Sequence, residues 1–193
     1  MTQLEFIEQI IKEKEAVILD ANDKIWSYAE LPYEETRSSA LLCSILESEG
    51  FTVETGVAEI PTAFVARYVV GTGKPVMGIL GEFDALATLS QKAGCTVKDP
   101  VQNGGSGHGC GHCCLGTGAL AAALAVKEYL VQNQKDGTII YYGCSAEEGA
   151  GESTLSPLSV GTPGGVTKAN YGDRKSTRLN SSHSSVSRMP SSA

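Results

Sequence analysis

The sequence predicts an α/β fold with a mostly parallel central sheet. Two observations support this prediction. Amphipathic helical segments alternate with short β-rich segments along the chain, and the segment at residues 75–81 is apolar without alternation. Such a strand is typical of a sheet covered on both faces. With 193 residues, 41% of them hydrophobic, the chain is long enough to bury a sizeable core.

The predicted elements follow from periodicity and from breaks at proline and glycine. Apolar residues spaced near 3.6 indicate a helix over residues 2–29, and Pro32 follows it. A second helix is predicted over residues 33–49, ending before Gly50. The remaining predicted elements are strands at 51–55, 63–70, 75–81 and 138–142 and an alanine-rich helix at 117–134.

Composition and charge exclude several classes of function. The net charge is −7, and residues 173–193 hold four of the 15 basic residues but one of the 22 acidic ones. The rest of the chain is therefore more acidic still, which disfavours nucleic acid and anionic membranes as partners. The longest apolar run, at 118–126, is too short to cross a bilayer, and the first residues do not resemble a secretory signal. We expect a cytoplasmic protein with reduced or metal-bound thiols.

The last part of the chain differs in composition from the rest. Eight serines lie in residues 173–193, and residues 173–183 resemble the in-frame translation of a sequencing-library adapter. We expect this tail to be disordered. Residues 152–172 show neither helical nor strand period and are unassigned, as a frameshift would explain. The expected folded unit is residues 1–151.

Metal-ligating residue types are densest in residues 107–114. This segment contains two of the three histidines and three of the six cysteines. Thiolate and imidazole are preferred ligands of Zn²⁺, and in an extended segment Cys110 and His112 point the same way. The alternatives are a phosphate-binding glycine loop and buried cysteines that pack as small hydrophobes.

Two acidic motifs follow predicted strands. Glu147 and Glu148 come after the last strand, and Glu82 and Asp84 come after the third. Ligand crevices in open α/β sheets lie outside such strand ends. Adjacent carboxylates repel unless a cation lies between them, in which case one can bind the metal while its neighbour accepts a proton from water. Each motif alone is at least as typical of a solvated surface loop.

Taken in this order, the three motifs resemble those of the metal-dependent amidohydrolase branch of the M20 metallopeptidase family, most of all its aminobenzoyl-glutamate group. The resemblance runs from about residue 5 to residue 151. It implies the N-terminal part of a three-layer sandwich similar to the zinc exopeptidases. It also implies hydrolysis of the amide bond of N-acyl amino acids or p-aminobenzoyl-glutamate with Zn²⁺ or Mn²⁺, by a homo-oligomeric parent enzyme that binds a small-molecule substrate.

The resemblance also implies roles for individual residues. Cys110, His112 and Glu148 would bind the metal. Glu147 would be the general base, and Asp84 would support the site from nearby. Members of the family need further histidine ligands downstream, and the one later histidine in this sequence lies in the adapter-like tail. We therefore expect the 193-residue chain to lack normal activity.

A non-catalytic reading of the cysteines stays open. Cys110 and Cys113 have the C-x-x-C spacing of structural zinc sites, and Cys113 stands where similar sequences carry Asp or Asn. A closed site of thiols and imidazoles would leave no open position for water. Nucleotide binding is a weaker alternative, because neither Gly-Thr-Gly segment matches a full phosphate-binding fingerprint.

Overall fold

The computed structural model describes residues 2–148, in which three α-helices pack on one face of a four-stranded sheet. The predictions for residues 152–172 and 173–193 lie outside the described residues. The helices are α1 (Gln3–Tyr28), α2 (Thr36–Ser48) and α3 (His112–Gln132), and the strands are β1 (Thr52–Thr55), β2 (Phe64–Val70), β3 (Val76–Glu82) and β4 (Gly137–Cys144). A short 3₁₀ turn, Val57–Glu59, separates β1 from β2.

Side chains that cap the helices determine where the first two begin. In α1, a capping box joins Thr2 and Glu5, each side chain accepting the other's backbone N–H. The helix α2 begins three residues later than predicted. Its start is fixed by Glu30, whose carboxylate accepts the N–H groups of Arg37 at 2.9 Å and Ser38 at 2.8 Å.

The prediction of a mostly parallel sheet is wrong for the described strands. Their order is β1-β2-β4-β3, and the pairs β1–β2 and β2–β4 are antiparallel. Among them β3 and β4 alone are parallel, and α3 lies in the long segment that connects them. The physical reason is linker length. Residues 56–63 and 71–75 are too few for the crossover that a parallel pair requires. The α/β class itself is confirmed.

The main core lies between the helices and one face of the sheet. Phe64 of β2 and Tyr141 of β4 are fully buried and stack with their ring centroids 5.6 Å apart. Leu42 of α2 and Leu120 and Leu124 of α3 belong to the same cluster. β4 is buried along its whole length, whereas β3 is partly exposed. The prediction that residues 75–81 are covered on both faces is therefore wrong, because β3 is at the edge of the described sheet.

The apolar character of α3 follows from its place in this core. Within residues 2–148 it is the one helix that is long and apolar enough to cross a membrane by length and composition. It packs against α1, β3 and β4 in the fold, and about half of its residues are buried. Core helices of water-soluble domains commonly have this composition.

A buried ion pair joins α3 to the end of α2. Lys127 is 8% exposed, and its Nζ donates to the main-chain oxygen of Glu49 at 3.0 Å and to Oε2 of the same residue at 3.1 Å. Lys14 of α1 pairs with the other carboxylate oxygen at 2.6 Å. Burial by itself would raise the pKa of the Glu49 carboxyl, but the two ammonium groups together hold it below its usual value.

We expect the substitution Lys127→Met to lower the free energy of unfolding by about 2–3 kcal/mol, since it leaves a largely buried carboxylate with one fewer charged donor. Urea denaturation measures this loss. The control is Lys12→Met, because Lys12 pairs with Glu15 at the surface and is itself 77% exposed. This control should stay within about 0.5 kcal/mol of the wild type. Equal losses in the two variants would contradict the structural role of Lys127.

Candidate metal centre

Three segments of the chain meet at one edge of the sheet. β3 and β4 are parallel, so the residues that follow them lie at the same edge. α3 leads from the end of β3 back to the start of β4, which places its first turn at that edge too. The helix begins at His112, five residues earlier than predicted, and Gly111 precedes it with φ +79°. Glycine adopts this left-handed conformation without strain.

His112 is fully buried at the centre of this edge. Its Nδ1 lies 2.7 Å from Oδ1 of Asp84, which is itself 1% exposed. A carboxylate acceptor at Nδ1 keeps the ring proton there and leaves the lone pair on Nε2. Nε2 is buried and has no hydrogen-bond partner among the described residues. Buried ring nitrogens are seldom unpartnered, and an imidazole that binds a metal has this arrangement.

Carboxylates and a thiol surround the unpartnered nitrogen. Nε2 lies 3.2 Å from Glu82 Oε2, 3.7 Å from Glu148 Oε1 and 3.8 Å from Glu147 Oε2. The ligand atoms of Cys110, His112 and Glu148 lie within 4.8 Å of one another, as do those of Glu82, His112 and Glu147. Imidazole, thiolate and carboxylate are the protein ligands of Zn²⁺ and similar ions. The residues present therefore fit a divalent metal.

The fold brings together all five residues that the sequence predicts for the site: Asp84, Cys110, His112, Glu147 and Glu148. Their roles as ligands, base and support stay predictions. The sequence motifs gave Glu82 no role, although alternation already placed it on the same face of the chain as Asp84.

Charge and burial in the site act on both candidate ligands that titrate near neutral pH or above. Burial alone would lower the pKa of His112, but the hydrogen bond to Asp84 and the charges of Glu82 and Glu148 raise it above its usual value. Burial and the neighbouring Glu148 carboxylate raise the pKa of the Cys110 thiol to about 11. A bound cation has the opposite effect on a thiol, since metal coordination removes its proton.

Cys113 and Cys114 lie outside both ligand groups. Cys113 is 4% exposed and packs in the main core, where burial and the adjacent Cys114 raise its pKa to about 12. Cys114 is exposed. A closed zinc site that used Cys113 would have to move its side chain out of the core, so the geometry disfavours that alternative.

A close backbone contact fixes the start of α3 against β3. A Cβ atom added at Gly116 would lie 2.6 Å from the main-chain oxygen of Glu82. The hydroxyl of Tyr141 donates to the main-chain oxygen of Gly116 at 3.0 Å. The missing side chain therefore lets the helix approach the strand, and this approach sets the distance between His112 and Glu82.

Sequence and structure comparisons agree on the family. The chain is 49% identical over 150 residues to a p-aminobenzoyl-glutamate hydrolase subunit of Escherichia coli, a match that covers 78% of this chain. A dinuclear metal-binding peptidase of the M20 family from Bacillus subtilis has the same fold, with a TM-score of 0.58 and 20% identity over 81% of this chain and 42% of that one. The chain belongs to the M20 metallopeptidase family.

Other comparisons define the extent of this relationship. The M20 chain spans 31% of the length of the Escherichia coli relative. An aminobenzoyl-glutamate utilization protein from Klebsiella pneumoniae shares the fold with a TM-score of 0.54 and 16% identity, covering 77% of this chain and 42% of that one. No family model matches the chain.

The contact at Gly116 gives a testable prediction for this M20 member. Gly116→Ala should lower the free energy of unfolding by about 1–3 kcal/mol, because the added methyl group would overlap main-chain atoms. Gly118→Ala is the matched control on the same helix, since a Cβ there meets nothing within 4 Å. The control should be up to about 1 kcal/mol more stable than the wild type. Urea denaturation curves in which Gly116→Ala matches the wild type would disprove the close contact.

Proposed function

We propose that this M20 chain supplies a divalent-metal site and a general base for hydrolysis of the amide bond in N-acyl amino acids. The observation that supports this most strongly is the buried, unpartnered Nε2 of His112, which faces three carboxylates and the thiol of Cys110. The Escherichia coli relative is named as part of a p-aminobenzoyl-glutamate hydrolase. We therefore take p-aminobenzoyl-glutamate as the first substrate to test.

The proposed ligands are Cys110, His112 and Glu148. Asp84 holds the proton of His112 on Nδ1, so that Nε2 is available to a metal. The same carboxylate accepts the backbone N–H of Glu148 at 2.7 Å, which orients the third ligand. The soft thiolate favours Zn²⁺ over Mn²⁺ in this set. When bound, such an ion would polarise the amide carbonyl and lower the pKa of water.

The proposed general base is Glu147. Its side chain is 14% exposed, and one of its carboxylate oxygens lies 3.8 Å from Nε2 of His112. It is therefore close to the metal site yet reachable by water. The carboxylate oxygen would accept a proton from the attacking water and return it to the nitrogen of the leaving amine.

We also propose that the protein is cytoplasmic and homo-oligomeric. The acidic composition and the thiols support the first proposal. The name of the Escherichia coli relative describes it as one subunit of a hydrolase, which supports the second. Size-exclusion chromatography with light scattering tests the oligomeric state.

The ligand assignment predicts how cysteine variants bind metal. Cys110→Ser should weaken Zn²⁺ binding by at least about tenfold, because a thiolate ligand is lost. The double variant Cys113→Ser with Cys114→Ser should retain the wild-type affinity. Cys95→Ser is a control, since Cys95 is exposed in a different loop. Titration calorimetry of the purified chain measures all of these affinities. Loss of binding in the double variant alone would support the closed structural zinc site instead.

The assignment of the base predicts a separation between binding and turnover. The test enzyme is the Escherichia coli relative with its matched segment replaced by that of this chain. In this enzyme, Glu147→Gln should lower kcat for p-aminobenzoyl-glutamate by about 10²- to 10⁴-fold and leave the metal content unchanged. Glu54→Gln, at an exposed site on β1, should leave both unchanged. Turnover retained by the Glu147 variant would eliminate it as the base.

A further inference from the structure

A second buried carboxylate lies behind the metal centre, outside the set of residues that surround His112. Glu35 is completely buried at the position that precedes α2. Its carboxylate accepts hydrogen bonds from the hydroxyl of Thr62 at 2.9 Å and the hydroxyl of Ser145 at 2.7 Å. It also accepts the backbone N–H of Ala146 at 2.7 Å. A buried carboxylate needs such donors, and bonds to a charged acceptor are among the stronger ones.

The bond to Ala146 determines the path of the chain into the metal centre. Ala146 is fully buried and has φ +57°, a left-handed conformation that alanine rarely adopts. Glu147 and Glu148 follow directly. The side chains of these two residues reach the site only if the chain turns at Ala146, and the N–H of the turning residue is bonded to Glu35.

Two buried carboxylates therefore hold the segment that carries the acidic pair. Glu35 accepts the N–H of Ala146, and Asp84 accepts the N–H of Glu148 at 2.7 Å. Glu147 lies between these two bonds. Repulsion among the carboxylates around His112 favours displacement of the segment toward solvent, since like charges in one site disfavour each other's ionisation. Fixed main-chain bonds on both sides of Glu147 oppose that displacement.

We propose that Glu35 is a positioning residue for the metal centre. Through the backbone of Ala146 it holds the carboxylates of Glu147 and Glu148 toward His112, without touching metal or substrate. This inference rests on the proposed function, because it assigns a purpose to the position of two residues that the function uses.

A cobalt titration of the purified 193-residue chain tests the proposal without substrate. Co²⁺ bound to a thiolate gives a charge-transfer absorption band, so the titration reports both affinity and the ligand environment of Cys110. Glu35→Gln should weaken Co²⁺ binding about tenfold or more, the effect typical of residues that orient metal ligands. Glu34→Gln is the matched control, since it removes the same charge from the adjacent exposed residue. It should retain the wild-type affinity and spectrum.

Two further variants separate positioning from folding. Thr62→Val removes one hydroxyl donor but keeps the bond to Ala146, and it should bind Co²⁺ as the wild type does. If Glu35→Gln does not fold, Glu35→Asp replaces it in the titration. The shorter side chain keeps the charge but withdraws its oxygen from Ala146, so it should weaken binding as well. Thermal unfolding of the metal-free variants shows which of them are folded.

The outcomes are distinguishable. Wild-type affinity in a folded Glu35→Gln or Glu35→Asp variant would overturn the positioning role and leave the proposed function standing. Equal weakening in Glu34→Gln would also overturn it, because the effect would then follow from net charge. A wild-type chain that binds no Co²⁺ would overturn the proposed metal site, and the role of Glu35 with it.

Discussion

The two hydrogen bonds of Asp84 are the interaction on which the geometry of the site depends. One carboxylate oxygen is 2.7 Å from Nδ1 of His112, and the other accepts the N–H of Glu148 at 2.7 Å. Asp84 follows β3, His112 opens α3 and Glu148 follows β4, so one side chain joins three segments that are distant in sequence. Because Asp84 is 1% exposed, water cannot replace either donor. The position of the site is thus tied to the pairing of β3 with β4 and to the start of α3.

The same arrangement concentrates negative charge. Glu82, Glu147 and Glu148 lie within 3.8 Å of one imidazole nitrogen. Without a cation, this crowding raises the free energy of the folded chain, because each charge disfavours the others. The N-terminus of α3 offsets a part of this cost through its positive end, but only by an amount typical of partly exposed groups. A divalent cation changes the sign of the balance, since each carboxylate then has an opposite charge beside it. The fold is in this sense preorganised for a cation.

The sequence was sufficient to predict what lies near the ends of β3 and α3, but less of what depends on distant contacts. The α/β class and the meeting of the three motifs follow from their places after strands and before a helix. Strand direction was misjudged because apolar patterning does not encode it, although the short linkers at 56–63 and 71–75 contained that information. Glu35 had no local signal, since its partners Thr62 and Ser145 are 27 and 110 positions away. Only tertiary structure shows that this acid is buried.

The identities of the base and of the metal ligands are a single physical choice. The two ligand groups share His112, which has one nitrogen available, so this residue can serve only one of them at a time. If the metal binds with Cys110 and Glu148, Glu147 lies outside the ligand set and its carboxylate can accept a proton. If the metal binds with Glu82 and Glu147, the proposed base is itself a ligand and its basicity is lost to the metal. The thiolate decides between them, because a set that includes sulfur suits Zn²⁺ better than one of imidazole and oxygen alone. A base at Glu147 therefore requires a metal at Cys110.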